Sequence, residues 1–351
     1  MKKIAIIGSG LFGLGAALIL SKRYRIDLYE IKKEILTGVS SSNQLRFHLG
    51  YHYPRSPETL KEVQKNNKDF IKFYGKSIFG KTKNYYGISE IDSLTSYKKY
   101  IEFLKKNKLF FKELRLNEIK SIQGTILSNE KNINIFKIKK IIENKLKQKK
   151  IKNRLNLKLN SNFRKEDIKK YHKVIVATYE NNNNILKNLG VKPQRKYKFE
   201  LVEKTVIKLP KIYQDKSYMI IDGKFLCLDP FLGTKYHLLS SNKYSKIEIV
   251  KGLYPIFKSK KLKLVNKGLI KDLRLSRFKK IIKHGKLFFK FINKAKYIGS
   301  YYLIRTIETN KEKTDERLNR IDFINNKIIT LFSGKWNTSV SVGFELLRKI
   351  K

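Results

Sequence analysis

Lys3-Ile4-Ala5-Ile6-Ile7-Gly8-Ser9-Gly10-Leu11-Phe12-Gly13 is the stretch that decides the fold. Its first five residues, 3–7, form the continuous apolar run of a strand buried on both faces. The glycines then recur as G-x-G-x-x-G, and an apolar helix is predicted over residues 12–22. A second strand is predicted at Arg25-Ile26-Asp27-Leu28-Tyr29-Glu30. Strand, glycine turn, helix and strand in this order make a βαβ unit that binds a dinucleotide. Gly8 makes the tight turn, Gly10 lets backbone approach a pyrophosphate, and Gly13 lets helix and strand pack closely. The helix N-terminus stabilises the pyrophosphate charge. Glu30 ends the second strand, where a carboxylate can accept hydrogen bonds from an adenosine ribose. FAD and NAD both satisfy this pattern.

The rest of the composition limits the choice of partner. The chain has 351 residues, with 79 Lys and Arg against 29 Asp and Glu, a formal charge of +50. Such a balance is common in nucleic-acid binders. Here the lysines run from Lys2 to Lys351 with no tail, stripe or groove-reading motif. They accompany many Ile, Asn, Tyr and Phe and only five alanines, the signature of AT-rich codons. No specific nucleic-acid partner is expected, but the field should draw anionic cofactors and substrates. The single cysteine, Cys227, excludes an intrachain disulfide and reads as a small strand residue. Lys2-Lys3 before the uncharged run Ile4 to Leu20 mimics a signal peptide. Its interrupting glycines argue otherwise, and no segment reaches the ~20 apolar residues of a membrane span. A cytoplasmic protein is expected.

Downstream, helices are predicted at 58–75, 96–107 and 136–149, and strands at 84–92 and at Lys173-Val174-Ile175-Val176-Ala177. Residues 197–240 favour strands, with a hairpin signal at Asp222-Gly223. Residues 245–296 read as mostly helical, 298–307 as a strand, 327–332 as a strand and 338–350 as a closing helix. Asn181 to Asn184 reads as a solvated loop.

Ser40-Ser41-Ser42-Asn43-Gln44-Leu45-Arg46-Phe47-His48-Leu49-Gly50 resembles a segment of the D-amino-acid oxidase superfamily of flavoproteins. The resemblance assigns Ser41, Ser42 and Asn43 to the Ser/Asn stretch that wraps the flavin. His48 and Gly50 fall on its His-x-Gly beside the isoalloxazine ring. Val174 to Thr178 resembles the family's strand ending in Ala-Thr, so Ala177 and Thr178 are expected near the cofactor. Tyr179 stands where the family usually has glycine. Phe332-Ser333-Gly334-Lys335-Trp336-Asn337-Thr338 resembles its C-terminal flavin loop, which implies cofactor contacts from Ser333, Gly334, Lys335, Asn337 and Thr338. The resemblance thus selects FAD. It covers both ends and the middle of the chain but not 81–131 or 197–300.

The expected fold is α/β, a Rossmann-like FAD-binding domain with an inserted mixed β-sheet substrate domain. The first is assigned to 1–80, 132–196 and 310–351, the second to 81–131 and 197–309. The expected activity is FAD-dependent oxidation of a small amine, amino acid, hydroxy acid or sugar-like substrate by hydride transfer to flavin N5. The alternatives are a non-redox flavoenzyme of the sugar-nucleotide mutase type and a non-catalytic binding protein that kept the fold. His48 is the candidate flavin-side residue. Arg305 is the candidate carboxylate clamp, because a guanidinium fork binds carboxylate bidentately. Tyr301, or its neighbour Tyr302, could add a hydroxyl. Arg46 and Arg55 are open to a phosphate, a substrate or plain solvent. His48 and His52 lack a third ligand nearby, so no metal is expected.

Overall fold

A computed structural model describes residues 1–223, 226–311 and 314–350. The opening unit is β1 (Lys3–Ile7), α1 (Leu11–Leu20) and β2 (Arg25–Tyr29). Both strands are buried over their last four residues, and every residue of α1 is buried. β1 pairs in parallel with β2 on one side and with strand Lys173–Val176 on the other. The six-stranded sheet runs, edge to edge, Arg320–Phe323, Ile328–Phe332, Lys173–Val176, β1, β2, Leu155–Lys158. All neighbours are parallel except the first pair, which is antiparallel. The chain leaves β1 in opposite directions to reach its two neighbours. That switch opens a crevice beyond the strand C-termini, the usual ligand position of such a sheet.

A nine-stranded mixed sheet faces this unit. Tyr197–Lys208 and Lys296–Glu308 form its longest antiparallel pair. Lys246–Gly252 and Tyr236–Ser241 both pair with Tyr197–Lys208, and the sheet continues through Leu226–Phe231, Lys216–Ile221, Lys83–Ser89 and Ile122–Ser128 to Phe111–Leu114. Lys216–Ile221 and Leu226–Phe231 pair antiparallel on either side of the Asp222-Gly223 turn signal; Lys224 and Phe225 lie outside the described residues.

Helices Pro57–Tyr74, Tyr97–Lys106, Ile135–Ile151 and Ser339–Lys349 follow the predicted periodicities closely. Residues 245–296 do not. They open with strand Lys246–Gly252 and hold one eight-residue helix, Phe278–Gly285, among short turns. Lysine favours helices when nothing else decides, but here the partner strand decides: Lys246–Gly252 adds to Tyr197–Lys208. Strands Leu155–Lys158 and Ile122–Ser128 carried no legible signal, being short or interrupted by polar residues.

Asn181 to Asn184 is not a solvated loop. Asn182 and Asn183 are buried. Asn182 Nδ2 donates to Leu331 O at 2.7 Å, and its Oδ1 accepts from Thr178 N at 2.8 Å. The side chain replaces missing backbone partners between two strand ends, which is why a polar residue is buried there.

Candidate functional site

One large cavity, of ≈1270 Å³, opens in the crevice and extends to the inner face of the nine-stranded sheet. Pockets for a single small ligand are usually about 300–1,000 Å³. This one has room for a dinucleotide and a second molecule.

Its first part is the glycine turn. Gly8, at φ +104°, donates its N–H to Tyr29 O at 2.8 Å. A Cβ on Gly8 would lie 2.6 Å from Ala177 O, so the turn is closed against strand Lys173–Val176. A Cβ on Gly13 would sit 1.9 Å from Gly8 O, which is helix packing, not ligand contact. Gly8 and Gly10 line the cavity; Gly13 does not. Gly10 caps α1 without a side-chain hydrogen bond, and α1 has no acidic residue in its first turn. A helix start that faces a cavity and carries no acidic side chain suits a bound anion. Glu30 lines the same region. Its Oε2 accepts from Ser9 N at 2.9 Å and Ser9 Oγ at 2.6 Å, locking the carboxylate to the turn. Ser9 had no separate signal within the motif. Arg164, from a segment without any motif, also lines the cavity.

Ser40 is the member of the serine run that faces the cavity, and its Oγ accepts from Leu11 N at 3.0 Å. Ser41 and Ser42 turn inward, each donating to Gly38 O, so the expectation for these two hydroxyls shifts to Ser40. They sit in the short helix Val39–Ser42, whose turn can present only one face. Asn43 lines the cavity while its Oδ1 accepts from Leu45 N at 2.7 Å.

His48 and His52 both line the cavity, with ring centroids 5.9 Å apart. His48 Nδ1 lies 3.4 Å from Glu130 Oε1. Burial outweighs that carboxylate and lowers the His48 pKa. His52 is pushed down to about 3 by burial, then by His48 and Lys335. Both rings are therefore neutral near pH 7. Glu130 itself, although burial opposes its charge, is held well below the usual range by Arg46 and His48.

Arg46 is no surface cation. It is 3% exposed and clamped between Glu130 Oε2 at 2.9 Å and Asp229 Oδ1 at 2.5 Å. Arg55 bonds Asp222 at 2.6 Å. Both guanidinium groups are engaged by the protein's own carboxylates.

Ala177, Thr178, Ser333, Gly334, Lys335 and Trp336 line the cavity. Asn337 and Thr338 lie behind them, fully buried. Asn337 Nδ2 donates to His48 O at 3.1 Å, and Thr338 Oγ1 donates to Asn319 Oδ1 at 2.9 Å. They hold the loop and do not line its open side. Burial, then Arg317, lowers Lys335 to about 7, and its ammonium sits 4.6 Å from the Tyr53 ring centroid.

Arg305 faces the cavity, its side chain 40% exposed to that space. Its fork is turned to Glu200, directly across the strand pair, with Nε donating to Oε2 at 2.7 Å. Neither expected tyrosine is among the lining residues. Tyr302 alternates to the opposite face and donates to Leu275 O at 2.7 Å. Tyr301 shares the Arg305 face but packs edge-on against Phe231. Cys227 lines the cavity, and burial pushes its thiol up to about 12, which leaves it unreactive.

Residues 6–75 match the model of the NAD(P)-binding Rossmann-like domain family. FAD-dependent monooxygenase FPY4 of Fusarium mangiferae is 30% identical over 111 residues, which is 31% of this chain and 30% of that protein. The match thus spans under a third of that relative's length. Glycine oxidase from Geobacillus kaustophilus superposes over 100% of this chain and 96% of its own, with a TM-score of 0.68 at 11% identity. The reduced L-α-glycerophosphate oxidase from Mycoplasma pneumoniae, with FAD bound, gives 0.70 at 13% identity, over 100% of this chain and 96% of its own. At such identities the likeness is one of fold. Along its whole length the chain therefore shares the α/β fold of these two oxidase structures, a Rossmann-like unit joined to a mixed sheet.

Proposed function

We propose that this protein is an FAD-dependent oxidoreductase that oxidises a small anionic substrate at a C–N or C–O bond, with hydride passing to flavin N5. The carrying observation is the continuity of one cavity from the glycine turn and Glu30 to the charged inner face of the large sheet. FAD, when bound, supplies the two-electron acceptor. The chain supplies the rest. Gly8, Gly10 and the start of α1 would hold the pyrophosphate of FAD, and Glu30 would accept from its ribose. Ser40, Asn43, Ala177, Thr178 and the loop from Ser333 to Lys335 line the cavity beyond the turn and would contact the rest of the cofactor. His48, neutral and with Nδ1 beside Glu130, keeps Nε2 as a proton acceptor. Met219, Leu303 and Trp336 exclude water, which strengthens every polar contact inside.

The division into a cofactor domain (1–80, 132–196, 310–351) and a substrate domain (81–131, 197–309) belongs to the same reading. It is supported by the strands, which segregate between the two sheets along these boundaries. So does a cytoplasmic location; no helix among the described residues is long and apolar enough to cross a membrane.

The test is an anaerobic titration of purified protein with a panel of amines, amino acids, hydroxy acids and phosphorylated alcohols. Bleaching of the visible flavin bands by one class supports the reading. Flavin that no class reduces, in protein that dithionite does reduce, counts against the oxidoreductase activity.

A further inference from the structure

The inner wall of the cavity is one face of the pair Tyr197–Lys208 and Lys296–Glu308. Lys198, Glu200 and Lys204 lie on it at even spacing, with Arg305 opposite Glu200 and Lys246 reaching in from the next strand. Glu200 is shared: Arg305 bonds it, Lys246 lies 3.4 Å away and Lys198 3.8 Å. Three cations therefore meet one carboxylate, and Lys204 adds a fourth charge on the same face. Lys204 is the clearest case, since among the described residues no carboxylate lies within salt-bridge distance of its ammonium. Its Nζ donates to two neutral groups, Ser240 Oγ at 2.9 Å and Gln44 Oε1 at 3.2 Å, and a third N–H remains for the cavity it lines.

From this arrangement, and resting on the anionic-substrate reading above, we infer that Lys204 and Lys246 form a subsite for a phosphoryl group of the substrate, with Arg305 adding positive charge beside it. The fork of Arg305 is already occupied by Glu200, so the free donors are ammonium groups. Point charges on flexible stems suit a tetrahedral oxyanion, whereas a planar carboxylate is better matched by an open guanidinium. The excess of positive charge also calls for a dianion. A single carboxylate would leave part of that buried charge uncompensated. Burial lowers Lys204 to about 8, with Cys227, Arg305, Asp229 and Glu200 as its charged or titratable neighbours, so it remains largely protonated at pH 7.

The experiment is calorimetric titration of the FAD-loaded protein, in which the glycine turn is filled, with inorganic phosphate and with acetate at pH 7 and low salt. Phosphate should bind at least tenfold more tightly than acetate. Lys204→Met should weaken phosphate at least tenfold with normal FAD content, and the exposed-surface control Lys150→Met should change nothing. Phosphate affinity within twofold of wild type in Lys204→Met, or equal binding of acetate, would overturn the subsite. If Lys204→Met does not fold, Lys246→Met is read by the same criteria. Protein purified without FAD would refute the flavoprotein reading separately. Sensitivity of phosphate binding to position 204 would still judge the subsite.

Discussion

Tyr179 shows how tertiary contacts can hold a bulky residue where the backbone conformation favours glycine. Its φ is +58°, the region glycine enters freely and a bulky side chain avoids. The ring is held there by stacking on Phe332, by a hydroxyl that donates to Thr306 O at 2.7 Å, and by Thr306 N donating back at 3.0 Å. The backbone need survives, and tertiary contacts meet it where glycine would do so alone. Lys335 carries the sharpest residue-scale prediction. With a pKa lowered to about 7, its cation is present below that pH and lost above it. If the Ser333–Lys335 loop edges the flavin, the bound-flavin spectrum of wild type should shift with a midpoint near pH 7, and Lys335→Met should flatten that titration. His52, at about 3, is silent in the window. Glu180, which burial raises to about 7, titrates there too, so Glu180→Gln serves as the control that keeps the midpoint. A midpoint that survives in Lys335→Met but vanishes in Glu180→Gln would move the assignment to Glu180. The sequence marked Lys335 only through the loop it sits in; its lowered pKa arises from burial and then from Arg317, neither visible in a linear motif.

At the scale of elements, α1 and the closing helix Ser339–Lys349 explain why the first unit also needs the chain's end. A Cβ on Gly15 would lie 2.9 Å from Ser339 O, and one on Gly343 would lie 2.6 Å from Ile19 Cδ1. Small residues let the two backbones approach, and α1 is buried on every face as a result. Gly15→Val should therefore force the helices apart and cost about 1–3 kcal/mol, the range for overpacking. Chemical denaturation reads the loss, and a variant as stable as wild type would contradict the packing argument. Elements of this kind were legible because their period is strong: the apolar run of β1, the glycine turn and the amphipathic pattern of 136–149 each point one way. Lys246–Gly252 was not legible, because a lysine-rich strand with weak alternation is specified by its neighbour. Ser40 was missed for its neighbours Ser41 and Ser42 because a one-residue choice inside a helical turn depends on helix phase, which the motif does not carry.

Over the whole molecule, a buried charge network joins the segment after the first βαβ unit to the large sheet. Arg46, on the short strand Arg46–Phe47, binds Glu130 beside the end of Ile122–Ser128 and Asp229 on Leu226–Phe231. Ser217 Oγ and Tyr86 Oη donate to Asp229 and Glu130 respectively. Removing one member leaves uncompensated charge, so Arg46→Met should destabilise by about 3–5 kcal/mol. Thermal unfolding within a degree of wild type would show the network to be dispensable. Above all, this fold should hold FAD. The most direct measurement is the visible spectrum of the purified protein, with mass analysis of the cofactor released from it. A yellow protein carrying one FAD per chain is expected, and a Gly10→Leu variant should fold but be colourless. A colourless wild type that binds NAD tightly instead would contradict that expectation.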